Sequence, residues 1–220
     1  MIPTPDLSHL TKEDYARVYE PAEDTFLLLD ALEEDAIALR EARFPICLEI
    51  GPGSGCVTAF LGSIIGPTNA LYLTSDINPH AALCTHQTGL QNQIPVHSVM
   101  GSLALPLVPR LRQNIDILLF NPPYVPTSNE EAALAQTDRG IAGAWAGGAD
   151  GMEVTNQLLA SLDSLLSPTG RFYLVALTQN DIPGITRRTF EQGFACQVVL
   201  KRRAGGEHLH VLRFTRVAAF

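Results

Sequence analysis

The chain has 220 residues, 46% of them hydrophobic, and a formal net charge of −8. That length fills one core and falls short of two, so a single domain over residues 1–220 is expected, and the acidic balance opposes a general polyanion binder. No apolar run approaches the roughly 18 residues that span a bilayer, and the opening MIPTPDLSHL lacks the charged-then-apolar order of a signal peptide, which points to an intracellular protein without a membrane partner.

In chain order, short apolar runs alternate with helical patterns. ICLEI (46–50), ALYLTSD (70–76), PVHSVM (95–100), IDILLF (115–120) and RFYLVAL (171–177) read as strands. CVTAFLGSII (56–65), residues 79–92 and EVTNQLLASLDSLL (153–166) read as helices. The alternation predicts a parallel α/β sheet covered on both faces. After Gly193, FACQVVLKRR and HLHVLRF flank AGGE, a hairpin signal, so the mostly parallel sheet is expected to end in an antiparallel pair. Residues 126–150, rich in Ala and Gly, form the one long irregular stretch and are read as substrate-binding.

Cys47, Cys56, Cys84 and Cys196 contain no CxxC pair and the six histidines are dispersed, so neither a disulfide framework nor a metal site is expected. Charge is unevenly spread. Residues 171–220 hold eight of the fifteen Lys/Arg but only three of the 23 acids, Asp181, Glu191 and Glu207. This basic C-terminal stretch is read first as a solvated surface and second as a face for RNA or a ribosome-associated partner.

The first strand runs into LEIGPGSGCV. Gly51, Gly53 and Gly55 let the backbone turn tightly and approach a ligand, but Cys56 stands where a dinucleotide fingerprint needs glycine. Glu49 repels phosphate and suits a cationic amino group. Asp76, ending the second strand, suits the two hydroxyls of a ribose. The implied ligand is adenosine-like and carries positive charge. After the fourth strand comes FNPPYV (120–125), where Pro122 and Pro123 stop the strand and stiffen the loop.

Glu-x-Gly-x-Gly-x-Gly, then Asp, then Asn-Pro-Pro-Tyr resembles the S-adenosylmethionine-dependent methyltransferases, and NPPY within them implies a planar nitrogen as target. With YEPAEDTFLLLDAL (19–32) and AWAGGADGMEV (144–154), the chain is similar to the HemK family of glutamine methyltransferases, nearest to its eukaryotic release-factor branch. The resemblance implies a Rossmann-like class I methyltransferase fold with seven strands, S-adenosylmethionine as cofactor and a cytoplasmic location, with the nucleus as a second compartment. It implies that Thr25 lies near the cofactor's methionine end, that Glu49 and Gly51 form the methionine-side wall, and that Asp76 clamps the ribose. Ser102 and Leu103 stand where the family has an Asp-Leu pair that reads adenine, which implies weakened cofactor affinity. Asn121 matches the catalytic asparagine.

The chemistry explains the motif. A glutamine amide nitrogen is a poor nucleophile because its lone pair is delocalised. Acceptors at the Asn121 side-chain oxygen and the Pro122 carbonyl would orient it, and Tyr124 would stack on the amide plane. The substrate implied is the Gly-Gly-Gln glutamine of the class I translation release factor. The alternatives weighed are another protein side chain such as lysine, an exocyclic amine of a nucleobase, and a binding scaffold that has lost turnover. Only 18 residues, an N-terminal extension, precede Tyr19, with no recognition domain. The family's small zinc-binding activator subunit is therefore the expected partner, pairing with ALYLTSD, read as an apolar strand toward the sheet edge.

Overall fold

The computed structural model describes residues 1–128, 130, 134 and 141–217. One seven-stranded sheet organises them, in the order β3-β2-β1-β4-β5-β7-β6. The strands are β1 Ile46–Ile50, β2 Leu71–Asp76, β3 Val96–Met100, β4 Ile115–Phe120, β5 Leu166–Leu177, β6 Phe194–Ala204 and β7 Glu207–Arg216. β1 to β5 pair in parallel, and β7 is antiparallel to both β5 and β6. The hairpin turns at Gly205-Gly206, inside the expected AGGE.

Eight α-helices are described: α1 Lys12–Tyr15, α2 Glu23–Glu34, α3 Ala36–Arg40, α4 Cys56–Ile65, α5 Pro79–Gln91, α6 Val108–Leu111, α7 Glu153–Leu165 and α8 Ile182–Glu191. Successive strand residues face opposite ways. Thus Ile117, Leu119, Tyr173 and Val175 join α2, α3 and α4 in one core layer. Leu118, Phe120, Phe172 and Leu174 join α7 and Ile185 of α8 in the other. Among the described residues no helix is long and apolar enough to cross a membrane.

The strand order reverses at β1, whose neighbours are β2 and β4. Ile50 pairs with Phe120, so Gly51 and Asn121 leave the sheet side by side at the switch point where α/β sheets bind ligands.

Three expectations change. β2 lies one strand in from the edge; β3 is the edge strand, and Tyr72, Thr74 and Ser75 of β2 are buried. β5 begins at Leu166 rather than Arg171, because Leu166 already pairs with Ile115 before a register shift. The amphipathic α8 and the short helices α1, α3 and α6 are additional to the helices expected from the sequence. Most of residues 129–140, within the irregular stretch, lie outside the described residues.

Candidate active site

A cavity of about 480 Å³ opens at the switch point. Thr25, Glu49, Gly51, Gly53, Asp76, Ser102, Leu103, Asn121, Pro122 and Tyr124 all line it. Five elements and their loops (α2, β1, β2, β3 and β4), far apart in sequence, thus converge on one hollow of small-ligand size.

Gly55 is the exception. It does not line the cavity. It starts α4 in the left-handed region (φ +79°), and a Cβ there would sit 2.8 Å from the Thr85 Cα, so its glycine lets α4 and α5 pack closely.

Glu49 is buried, and its carboxylate accepts the Thr58 hydroxyl. Burial pushes it up to about 7, the Thr58 hydrogen bond opposes that shift, and the Asp76 charge adds to it. Asp76 is pushed up to about 6 by burial, against the backbone N–H groups of Asn78, Gly53 and Ile77. The Asn78 N–H donates at 2.8 Å and the Gly53 N–H at 3.4 Å. Two carboxylates that burial disfavours as anions suit a cavity meant for positive charge and hydroxyls.

The centre of the site is a residue that the sequence reading passed over. Asp24, the second residue of α2, is 4% exposed. Its carboxylate accepts the Asn121 Nδ2–H at 2.9 Å and the Tyr124 hydroxyl at 2.9 Å. It also accepts the Tyr19 hydroxyl at 3.1 Å and the Thr25 backbone N–H at 2.7 Å. Burial and the Asp24 charge raise both tyrosines above their ordinary range, so both keep their protons. Because a carboxylate only accepts, the Asn121 amide must turn its donor to Asp24. Its Oδ1 is buried and finds no donor among the described residues. Thr25 also serves its own helix, accepting the Ala22 N–H at 3.4 Å. Tyr124 is buried, with its hydroxyl engaged at Asp24 rather than directed to a ligand.

The NPPY loop is held from behind by AWAGGADGM. The Val125 N–H donates to the Trp145 carbonyl at 3.1 Å, and the Gly147 N–H returns a bond to Val125 at 2.9 Å. A Cβ on Gly147 would meet the Pro123 carbonyl at 2.5 Å, and one on Gly151 the Tyr124 carbonyl at 2.1 Å. The two glycines let one backbone lie against the other. Buried Asn180 ties the contact, its Nδ2 donating to the carbonyls of Asp150 (3.3 Å) and Tyr124 (3.5 Å).

The sheet order with its terminal hairpin, the glycine turn after β1 and the acid ending β2 define a class I methyltransferase. The comparisons narrow that class. The chain is 48% identical over 215 residues to Methyltransferase HEMK2 of Mus musculus, covering 98% of this chain and 97% of the relative. It is 42% identical to the eRF1 methyltransferase catalytic subunit mtq2 of Schizosaccharomyces pombe, covering 99% of this chain and 97% of the relative. A chain of the E. cuniculi Mtq2-Trm112 complex, responsible for methylation of the eRF1 translation termination factor, superposes with a TM-score of 0.66 at 25% identity, covering 90% of this chain and 98% of that one. No family model matches. The chain belongs to the HEMK2 and Mtq2 family of methyltransferases.

Proposed function

We propose that the chain transfers a methyl group from S-adenosylmethionine to the side-chain amide nitrogen of the Gly-Gly-Gln glutamine in the class I translation release factor. The observation that carries this reading is the Asn121 amide in the cavity lining, whose Nδ2–H is held by Asp24 and whose buried Oδ1 is left without a donor among the described residues.

The residues fit the cofactor. Glu49 offers a buried carboxylate for its cationic amino group, and Asp76, steadied by backbone N–H groups, keeps lone pairs for the two ribose hydroxyls. Ser102 gives the adenine end a hydroxyl in place of a carboxylate. Bound there, the cofactor supplies an electrophilic methyl group on a sulfonium centre. Asn121 Oδ1 and the Pro122 carbonyl each accept one N–H of the substrate amide, which turns the nitrogen lone pair toward that methyl group. The N–C bond forms as the S–C bond breaks, and the surplus proton on nitrogen leaves to water. Acceptors fixed before reaction avoid reorganisation as positive charge grows on nitrogen, an effect on the order of 100-fold per group. The Tyr124 ring, in the cavity lining, forms a stacking wall for the amide.

A nucleobase substrate draws less support from the fold. Within the basic C-terminal stretch, Arg213 pairs with Asp35, Arg216 with Asp163, and Arg202 with Asp30 and Glu23. Those charges are satisfied within the chain. A lysine amine would use a pair of amide acceptors less fully than a planar amide does.

The proposed partner is the small zinc-binding activator subunit. The Mtq2-Trm112 complex supports a heterodimer, and so does the open β3 edge beside exposed Leu83 and Leu90 of α5 and Met100. A cytoplasmic location follows from a release-factor substrate. The test is methyl transfer from labelled cofactor to the release factor and to its Gly-Gly-Arg variant. Label on the first alone is expected; equal label on both contradicts the reading.

A further inference from the structure

The N-terminal residues run along α5 as a strap. Asp6 contacts Asn92 and Gln91, His9 contacts Thr88, and the Asn78 Nδ2–H donates to the Arg17 carbonyl at 2.9 Å. Beyond the strap, Arg17, Val18 and Tyr19 form part of the cavity wall. Midway along it, three side chains of mixed chemistry meet outside the active site. The Asp14 Oδ1 of α1 lies 3.0 Å from His80 Nε2 and 4.0 Å from Cys84 Sγ, and the three ligand-type atoms all lie within 4.8 Å of one another.

We propose that Asp14, His80 and Cys84 form a binding site for a zinc-class divalent cation that staples the strap to α5 beside the cofactor cavity.

The geometry is that of a ligand set. His80 and Cys84 stand at i and i+4 on α5, the spacing that puts two side chains on one helix face. Asp14 is pre-aimed. The Thr11 N–H and hydroxyl both donate to its Oδ2, at 2.8 and 2.7 Å, which leaves Oδ1 facing α5. Bond lengths of about 2.0–2.1 Å to N or O and about 2.3 Å to S, at tetrahedral angles, separate ligand atoms by roughly 3.3–3.6 Å. The observed 3.0 and 4.0 Å bracket that range, and the remaining pair, His80 and Cys84, lies within 4.8 Å. One thiolate, one imidazole and one carboxylate select zinc over magnesium or calcium, and the part-exposed His80 leaves room for water as fourth ligand.

A thiol ligates a metal as its thiolate, so binding releases the Cys84 thiol proton to water as one S–metal bond forms. The sequence spacing conceals the set, because Asp14 is 66 residues from His80 and 70 from Cys84.

The test uses the untagged full chain, with its partner subunit if solubility requires it, titrated with Co²⁺ as a spectroscopic substitute for Zn²⁺. The proposal expects one equivalent bound with a near-ultraviolet thiolate-to-metal charge-transfer band. That band should vanish in Cys84→Ala and weaken with at least tenfold poorer binding in His80→Ala, while Cys196→Ala retains it. Any signal from the partner cancels in the difference between wild type and variants. His80 is more exposed than the buried Cys84, so its variant reads the site even if Cys84→Ala folds poorly. Absence of the band from wild type, or an unchanged band in both site variants, overturns the proposal.

Discussion

Asn121 acts with Asp24 as one unit at the scale of single residues. Replacing Asp24 by Asn offers the Asn121 amide a group that both donates and accepts, so the amide is no longer held in one orientation. Asp24→Asn is expected to lower kcat about tenfold or more while cofactor Kd changes little; a separate binding titration and turnover assay reads the two. Glu49 supplies a pH dependence. Its folded value of about 7 lies above the ordinary 4.5, so the folded state binds more protons than the unfolded state between those values. Stability therefore falls as pH rises from 4.5 to 7, by about 3 kcal/mol relative to Glu49→Gln, and a pair of urea titrations across that window checks it. A cationic amino group favours the Glu49 anion, so cofactor Kd should weaken as pH drops below 7. Glu49, Asp76 and Asn121 were legible as cavity-lining positions because each stands at or beside the C-terminal end of a strand. Asp24 was not, since its partners lie 97 and 100 residues away and nothing local marks it among other helix-starting acids.

Two loops set the rigidity of the site at the scale of elements. NPPY and AWAGGADGM lie in contact because Gly147 and Gly151 carry no Cβ, and Gly151 also adopts φ +69°. Alanine at Gly151 costs about 1–2 kcal/mol for left-handed backbone alone, before the clash at 2.1 Å with the Tyr124 carbonyl is relieved. Gly151→Ala should lower the thermal midpoint by several degrees and reduce kcat more than cofactor affinity, because the displaced loop carries Asn121. An unchanged midpoint and kcat would remove the bracing role. The sequence displayed both motifs but not that one supports the other, a relation of backbone approach that periodicity does not encode. Gly55 illustrates the same limit: its pattern signals a turn, while its neighbour Thr85 makes it a helix-packing position.

For the whole molecule, the β3 edge and its apolar surroundings matter most. Among the described residues β3 has a strand neighbour on one side only, with Leu90 66% and Met100 56% exposed. Leu90→Glu with Met100→Glu should weaken heterodimer formation at least tenfold without unfolding the chain, as read by gel filtration of the co-expressed pair. A monodisperse, fully active monomer would contradict the need for a partner. The alternation of strands and helices made the sheet and hairpin legible, since period-2 and period-3.6 patterns are local. Which strand forms the edge was not, because β2 and β3 are similar short runs and their order is decided by how helices cross the sheet.

The central claim is that an asparagine oxygen, aimed by Asp24, orients the substrate nitrogen in the transition state. The direct measurement is single-turnover methyl transfer to the release factor by wild type and Asn121→Ala, each saturated with cofactor, alongside cofactor Kd for both. A rate loss on the order of 100-fold or more with Kd little changed is the expected result. A near-normal rate for Asn121→Ala would contradict the account.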